Sequence, residues 1–212
     1  MGTCIIFCAG DFTALVEPIR DGDFIIAADG GLLHLNRLGV QPDAIIGDFD
    51  SLGHVPEGAL VHPVEKDDTD SMLAVRLGLE KGFRRFVLYG AMGGSRLDHT
   101  IANLQTLQFL ANHGAVAHLA GADVIATVIR NGSACFPAAP EGIVSVFCMG
   151  ADAQGVDIQG LCYELKNGRL TAGYPLGVSN HFIGKNATIS VNNGSLLIIA
   201  PVEVGFSEVE QC

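Results

Sequence analysis

At 212 residues the chain is long enough for one large domain or two small ones, and it can bury most of its apolar surface without staples. Hydrophobic residues make up 49% and charged residues 17%, with a mean hydropathy of +0.37, which excludes a disordered chain and implies a well-filled core. A formal net charge of −11 repels phosphate backbones and anionic lipid, so neither nucleic acid nor membrane is an expected partner, and a small anionic substrate needs local help such as a metal ion.

In chain order, the first half alternates short apolar runs with amphipathic segments, the pattern of βα units that build a parallel sheet. The opening stretch is apolar, lacks a basic leader and soon meets Asp11, so it reads as a buried strand over Thr3 to Ala9 and not as a signal peptide. Further strands are expected at Phe24 to Ala28, Ala44 to Gly47, Leu60 to Val64, Arg85 to Tyr89 and Val116 to Ala120. Helices are expected at Gly31 to Leu38, Thr69 to Lys81 and Leu97 to Asn112, each followed by a glycine suited to a C-cap. In the second of these, Met72, Val75 and Leu79 form the expected apolar face. After about Gly121 helical periodicity fades into short β-rich runs: Val124 to Arg130, Ile143 to Cys148, Gly160 to Leu165, Ala187 to Val191 and Ser195 to Ala200. Turns are expected at Asn131-Gly132, Asn167-Gly168 and Asn193-Gly194. The fold class is therefore α/β: an N-terminal parallel-sheet domain over residues 1–122 and a smaller all-β sandwich over residues 123–212. No apolar run approaches the ~20 residues that span a bilayer. Cys4, Cys8, Cys135, Cys148, Cys162 and Cys212 form neither a CxxC pair nor a framework, and most sit in apolar runs, so they read as reduced, buried small hydrophobes of a cytoplasmic protein.

The chemistry concentrates where strands run into turns. In Ile45-Ile46-Gly47-Asp48-Phe49-Asp50-Ser51 a strand ends in two carboxylates one residue apart. Ligands of open α/β sheets bind at the carboxyl ends of strands, where paired acids suit Mg²⁺; a solvated Asp-rich turn reads equally well from this motif alone. Lys66-Asp67-Asp68-Thr69-Asp70 opens a helix, with Thr69 as its N-cap, and by itself reads as ordinary capping. Gly90 to His99 again joins a strand to a helix: its glycines allow close backbone approach, the helix start offers N–H groups to an anion, and Arg96 can fork onto phosphate oxygens. Asp29-Gly30-Gly31 repeats the arrangement earlier. Each cluster alone is weak, yet all four fall on one edge of the expected sheet, where a triphosphate and its metal would sit.

With these segments in hand, the sequence resembles the thiamine pyrophosphokinase family. The matching stretches are Ala28 to Gly31, Pro42 to Ser51, Lys66 to Asp70, Gly94 to Thr100 and Gly177 to Asn180, in the family's order and over most of the chain. The resemblance implies a C-terminal β-sandwich, a homodimer with active sites in clefts between subunits, and transfer of the pyrophosphoryl group of ATP to the thiamine hydroxyl, leaving AMP. It implies Mg²⁺ as cofactor, held by Asp48, Asp50 and Asp70. Asp29, Gly30, Gly31, Lys66, Asp67, Thr69, Gly93, Gly94 and Arg96 would bind ATP, with Asp29 and Asp67 as lesser metal candidates. Asp70, Arg96 and Asp98 would be catalytic, and Asp98, Ser179 and Asn180 would contact thiamine. Some members of the family cover the thiamine ring with a tryptophan and this chain has none, so Phe182, His181 or Tyr174 is expected to face the cationic thiazolium in its place, although a core role is the more ordinary reading of Phe182. His99 is ambiguous.

Two rival readings remain at this point. A phosphohydrolase also uses Asp-x-Asp at a strand end, but it wants the pair after the opening strand, and here the pair follows the third. A nucleotide- or thiamine-binding regulatory module has no need of four acids around one phosphate site.

Overall fold

The computed structural model describes residues 2–47, 58, 60–61 and 68–211. It divides into two compact units, Met1–Thr106 with Leu119–Ala122, and Leu107–His118 with Asp123–Cys212.

In the first unit, β1 (Cys4–Phe7), β2 (Phe24–Ala28), β3 (Ala44–Gly47), β4 (Leu60–Val61) and β5 (Arg85–Tyr89) lie in the order β5-β1-β2-β3-β4, all parallel. Such strands are buried on both faces, which is why Cys4 to Phe7 reads as an unbroken apolar run and every residue of it is buried. One face packs Ile5, Phe7, Ile25, Ala27, Val87 and Tyr89 against Leu35 of α1 (Leu32–Leu38) and against Phe12, Leu15 and Val16 of the β1–β2 connection. The Tyr89 ring stacks on Phe7 at 5.1 Å, and its hydroxyl accepts the Val16 N–H at 3.1 Å, so this connection is held without a helix.

Helix α2 (Asp70–Glu80) lies against β1, β2 and β3. The face it buries is Ser71, Ala74, Val75 and Gly78, mostly small residues; of the expected row only Val75 is buried, while Met72 and Leu79 are half-buried. Close approach explains the difference: a Cβ at Gly78 would lie 2.6 Å from the Phe86 ring and 2.7 Å from Cys4 Sγ, so larger residues are turned to the flanks. Gly39, at φ 68, ends α1 as expected. Helix α3 (Leu97–Asn112) and β6 (Val116–Ala120) follow at their expected bounds.

The second unit is antiparallel. Its strands are β7 (Val124–Arg130), β8 (Ser133–Phe136), β9 (Ile143–Cys148), β10 (Ala153–Gln159), β11 (Leu165–Leu170), β12 (Gly177–His181), β13 (Ala187–Asn193), β14 (Ser195–Pro201) and β15 (Glu208–Glu210). They form the orders β12-β9-β14-β7 and β11-β10-β13-β8-β15. Alternate residues of both orders, Ile129, Val146 and Ile198 from one and Phe136, Val156 and Ile189 from the other, share one core. The turns at Asn131-Gly132 and Asn193-Gly194 clasp each other: Asn131 N–H donates to Gly194 O at 3.1 Å, and Gly194 N–H to Asn131 Oδ1 at 3.0 Å.

One expected strand and turn are exchanged. Residues 160–164 carry no strand, because Gly160 at φ 75 makes the turn and Glu164 Oε1 accepts its N–H at 3.0 Å. Asn167-Gly168 lies inside β11, where the register against β10 shifts. The Asp157 carboxylate accepts the Asn167 N–H at 2.8 Å, and this lets Asn167 hold φ 48 in a bulged strand. Cys162 is exposed beside this turn, contrary to the expected burial, whereas Cys4 and Cys8 are buried and Cys135 and Cys148 half-buried. Among the described residues all cysteines are free thiols, and no helix is long and apolar enough to cross a membrane.

Candidate active site

A cleft of about 530 Å³ opens in the first unit where β1, β2 and β5 end and α2 and α3 begin. Each strand delivers a different group. β2 runs directly into Asp29, which sits at φ 46, a left-handed conformation that Asp tolerates better than most side chains, and opens a 3-10 turn through Gly30 and Gly31. β5 runs into Gly90, whose added Cβ would collide with the carbonyl of Cys8, and then into Gly93 and Gly94 at φ 81 and 74. Only glycine holds that backbone without strain, and it leaves main-chain groups uncovered along the cleft.

The first turn of α2 supplies Thr69, Asp70 and Ser71. Thr69 is the N-cap, accepting the Met72 N–H at 3.2 Å, so the expected capping role and a place on the cleft wall coexist in one residue. Gly93, Gly94, Arg96 and His99 also line the cleft, as do Thr100, the last residue of the matching stretch, and Asp11, Cys8 and Asn103, to which the sequence assigns no site role. Asn103 lies four positions after His99 in a helix half of whose residues are polar, so its place in the sequence does not single it out. Cys8 is no nucleophile. Burial, with the Asp70 charge adding to it, pushes its thiol up to about 12.

Arg96 and Asp98 form a bidentate pair at 2.9 and 2.7 Å, both about two-thirds exposed. The hydrogen bond from the guanidinium holds the Asp98 carboxyl down at about 2. The expected phosphate clamp therefore faces its own carboxylate in this structure, and a phosphate would compete for the same fork.

Asp48, Asp50, Lys66 and Asp67 lie outside the described residues. Among the described ones, no three metal-type side chains come together. Most of the donors that line the cleft are oxygen, the carboxylates of Asp11, Asp29 and Asp70 and the hydroxyls of Thr69, Ser71 and Ser95, the chemistry that suits Mg²⁺, with the His99 imidazole and the Cys8 thiol beside them.

Ser179 and Asn180 belong to β12, in the second unit. Ser179 is exposed at φ 61, with its N–H donated to Ser145 Oγ at 3.1 Å. Asn180 is buried, and its amide is committed to the fold: Oδ1 accepts the N–H of Tyr163 and of His181, both at 2.9 Å, while Nδ2 donates to Tyr163 O at 2.7 Å. Its side chain is thus a clasp between β12 and the 160–164 turn. Phe182 is 3% exposed and meets Phe136 edge-on at 5.3 Å, so it is core and is removed as a ring partner. Tyr174, 66% exposed, and His181 are at the surface, as is Tyr163, which the sequence reading missed.

A polar cleft at the carboxyl edge of a parallel sheet, in a chain that continues into an antiparallel β unit, defines an α/β architecture with its ligand edge in the first unit. The chain belongs to the thiamin pyrophosphokinase family: the model of the family's catalytic domain matches residues 17–117, and that of its vitamin B1 binding domain matches residues 136–196, between them well over half of the chain. It is 28% identical over 190 residues to the thiamine pyrophosphokinase of Bacillus subtilis, an alignment covering 82% of this chain and 85% of that protein. Among solved structures, thiamine pyrophosphokinase from Bacillus subtilis matches with a TM-score of 0.82 at 24% identity, over 94% of this chain and 98% of that one. Thiamin pyrophosphokinase from Geobacillus thermodenitrificans matches with a TM-score of 0.77 at 26% identity, over 95% and 97%. The family's activity is transfer of the pyrophosphoryl group from ATP to thiamine, which makes the chain a kinase-type transferase.

Proposed function

We propose that the transfer is Mg²⁺-dependent and that ATP binds in the first-unit cleft. The observation that carries this reading is the gathering of Asp29, Asp70, the Gly93-Gly94 backbone and Arg96 on one cleft wall. Asp70, with Asp48 and Asp50 from the segment after β3, would hold the metal, which neutralises charge on the transferring group. Asp29, Gly30, Gly31, Thr69, Gly93, Gly94 and Arg96, with Lys66 and Asp67, would seat the nucleotide. When a phosphate takes the Arg96 fork, Asp98 is released beside the attacking thiamine hydroxyl. That hydroxyl attacks the β-phosphorus and AMP departs, a reaction that rests on positioning and charge neutralisation. Ser179 contributes to thiamine binding, Asn180 by fixing the backbone around it, and Tyr174 or His181 offers the aromatic face. Residues 1–122 would serve ATP and residues 123–212 thiamine and dimerisation, in a cytoplasmic homodimer with active sites at the subunit interface.

Incubation with ATP, Mg²⁺ and thiamine should give thiamine diphosphate and AMP in equal amounts; ADP with thiamine monophosphate would overturn the direct route. A protein that sediments as a monomer while fully active would remove the dimer from this reading. Asp50→Asn should abolish most of the thermal shift that Mg²⁺ with ATP gives the wild type, and an undiminished shift would take Asp50 out of the metal site.

A further inference from the structure

Three elements of the cleft wall are joined by one chain of hydrogen bonds, buried at its Ser71–Asn103 and Asn103–Ala91 links. The Ser71 hydroxyl donates to Asn103 Oδ1 at 2.8 Å, and Asn103 Nδ2 donates to the carbonyl of Ala91 at 2.8 Å. Thr69 Oγ1 lies 3.0 Å from Ser71 Oγ and accepts the Met72 N–H. These contacts fix their own direction. A carbonyl only accepts, so the Asn103 amide must turn Nδ2 to Ala91 and Oδ1 to Ser71; a hydroxyl has one proton, and with that of Ser71 on Asn103, Thr69 must donate to Ser71. The chain therefore runs from Met72 N–H through Thr69 and Ser71 to Asn103, which accepts at one end of its amide and donates to Ala91 from the other. Ser71 is 9%, Asn103 6% and Ala91 1% exposed, so little water is at hand to replace a lost partner.

We infer that Asn103 is a positioning residue for the transfer reaction, tying the first turn of α2, which carries Asp70, to the loop after β5, which carries Gly93, Gly94 and Arg96. The inference rests on the reading of this cleft as the ATP site. Asp70 stands between Thr69 and Ser71, both links of the chain, and Ala91 stands two residues before Gly93. The loop is rich in glycine and has few side chains with which to anchor itself, so a bond to its main chain from a rigid helix sets where its N–H groups point. Cutting that bond lets the acid-bearing turn and the anion-facing loop shift independently, and displacements near 1 Å cost transfer reactions up to about a hundredfold.

The test compares full-length wild type, Asn103→Ala, Ser71→Ala and the double variant, each assayed well below its melting temperature. For Asn103→Ala, kcat for thiamine diphosphate formation should fall by about tenfold to a hundredfold with the thiamine KM unchanged. The rise in Tm on adding Mg²⁺ and ATP, a readout independent of turnover, should shrink beside that of the wild type. Ser71→Ala leaves the Asn103–Ala91 bond in place and should show a smaller loss of the same pattern; it carries the test if Asn103→Ala does not fold. The double variant should be no slower than Asn103→Ala, because both changes cut one tie. Folded variants with wild-type kcat and an undiminished ligand shift, or a loss of activity that merely follows the folded fraction, would overturn the inference. Failure of the functional reading shows elsewhere, as a wild type that makes no thiamine diphosphate.

Discussion

The cleft of the first unit and the β12 region of the second treat their motif residues in opposite ways. At the cleft, Asp29, Asp70, Gly93, Gly94 and Arg96 all lie on the wall of one cavity, and the residues that hold them, such as Ser71 and Asn103, line it too but are themselves buried. In and just after the Gly177 to Asn180 motif the candidates are divided: Asn180 and Phe182 turn inward to build the unit, while Ser179 and His181 stay at the surface. Motif residues can thus be worth their place for what they touch or for what they hold still, and stability and activity separate the two.

The largest effect is expected at the cleft. Asp70→Asn keeps the shape of a first-turn residue and removes its charge, so stability should change by no more than about 1 kcal/mol, the scale of a helix-dipole contact. Activity should fall by orders of magnitude, as loss of a metal-holding carboxylate implies; denaturant melts beside turnover assays measure both, and near-normal turnover would place Asp70 with the holding residues. Phe182→Ala should behave inversely. Truncating a buried aromatic costs about 3–5 kcal/mol, and kcat per folded molecule should stay close to normal. Asn180→Ala should come next, at about 1–3 kcal/mol, because it strands the Tyr163 N–H and carbonyl at once. If Asn180→Ala were fully stable and raised only the thiamine KM, the division drawn within β12 would collapse.

These divisions explain which features were legible in the sequence. β2, β3, β5, β6, β7, β9 and α3 have the expected bounds because apolar runs and glycine stops are local signals. Strands β8, β10, β12 and β15 went unseen: Ala153 to Gln159 carries a glycine and an aspartate, and Gly177 to His181 has no apolar alternation, so both are strands by pairing and not by propensity. The misplaced turn at Asn167-Gly168 has the same origin, since a side chain ten residues away, Asp157, decides it. Among the described residues of the cleft, Asp29 and the glycines after β5 were legible because they follow strand ends, and Asp70 because it opens a helix. Asn103 and Cys8 were not, because a polar residue in a half-polar helix reads as a solvated face and a cysteine just past an apolar strand reads as packing. Nor could the order of residues tell that Asn180 faces inward while its neighbour Ser179 faces out, a matter of strand register and bulge.

The smallest effect tests the exposed pair at the entrance to α3. Asp98 titrates in the folded protein at about 2, below its ordinary 3.8, because Arg96 hydrogen-bonds its charged form. A depressed carboxylate contributes stability that is fully present above the unfolded value and disappears as pH falls through the folded one. The difference in Tm between wild type and Asp98→Asn should therefore be flat from neutral pH down to about 4, shrink below that, and be gone near pH 2. Both side chains are about two-thirds exposed, so the difference should be small even at its plateau and should fade in high salt. On the proposed reading Arg96 leaves this pair when a phosphate takes its fork. Adding ATP with Mg²⁺ should weaken the dependence on Asp98 further, and a pH profile indifferent to nucleotide would show that the Arg96 fork never leaves its carboxylate.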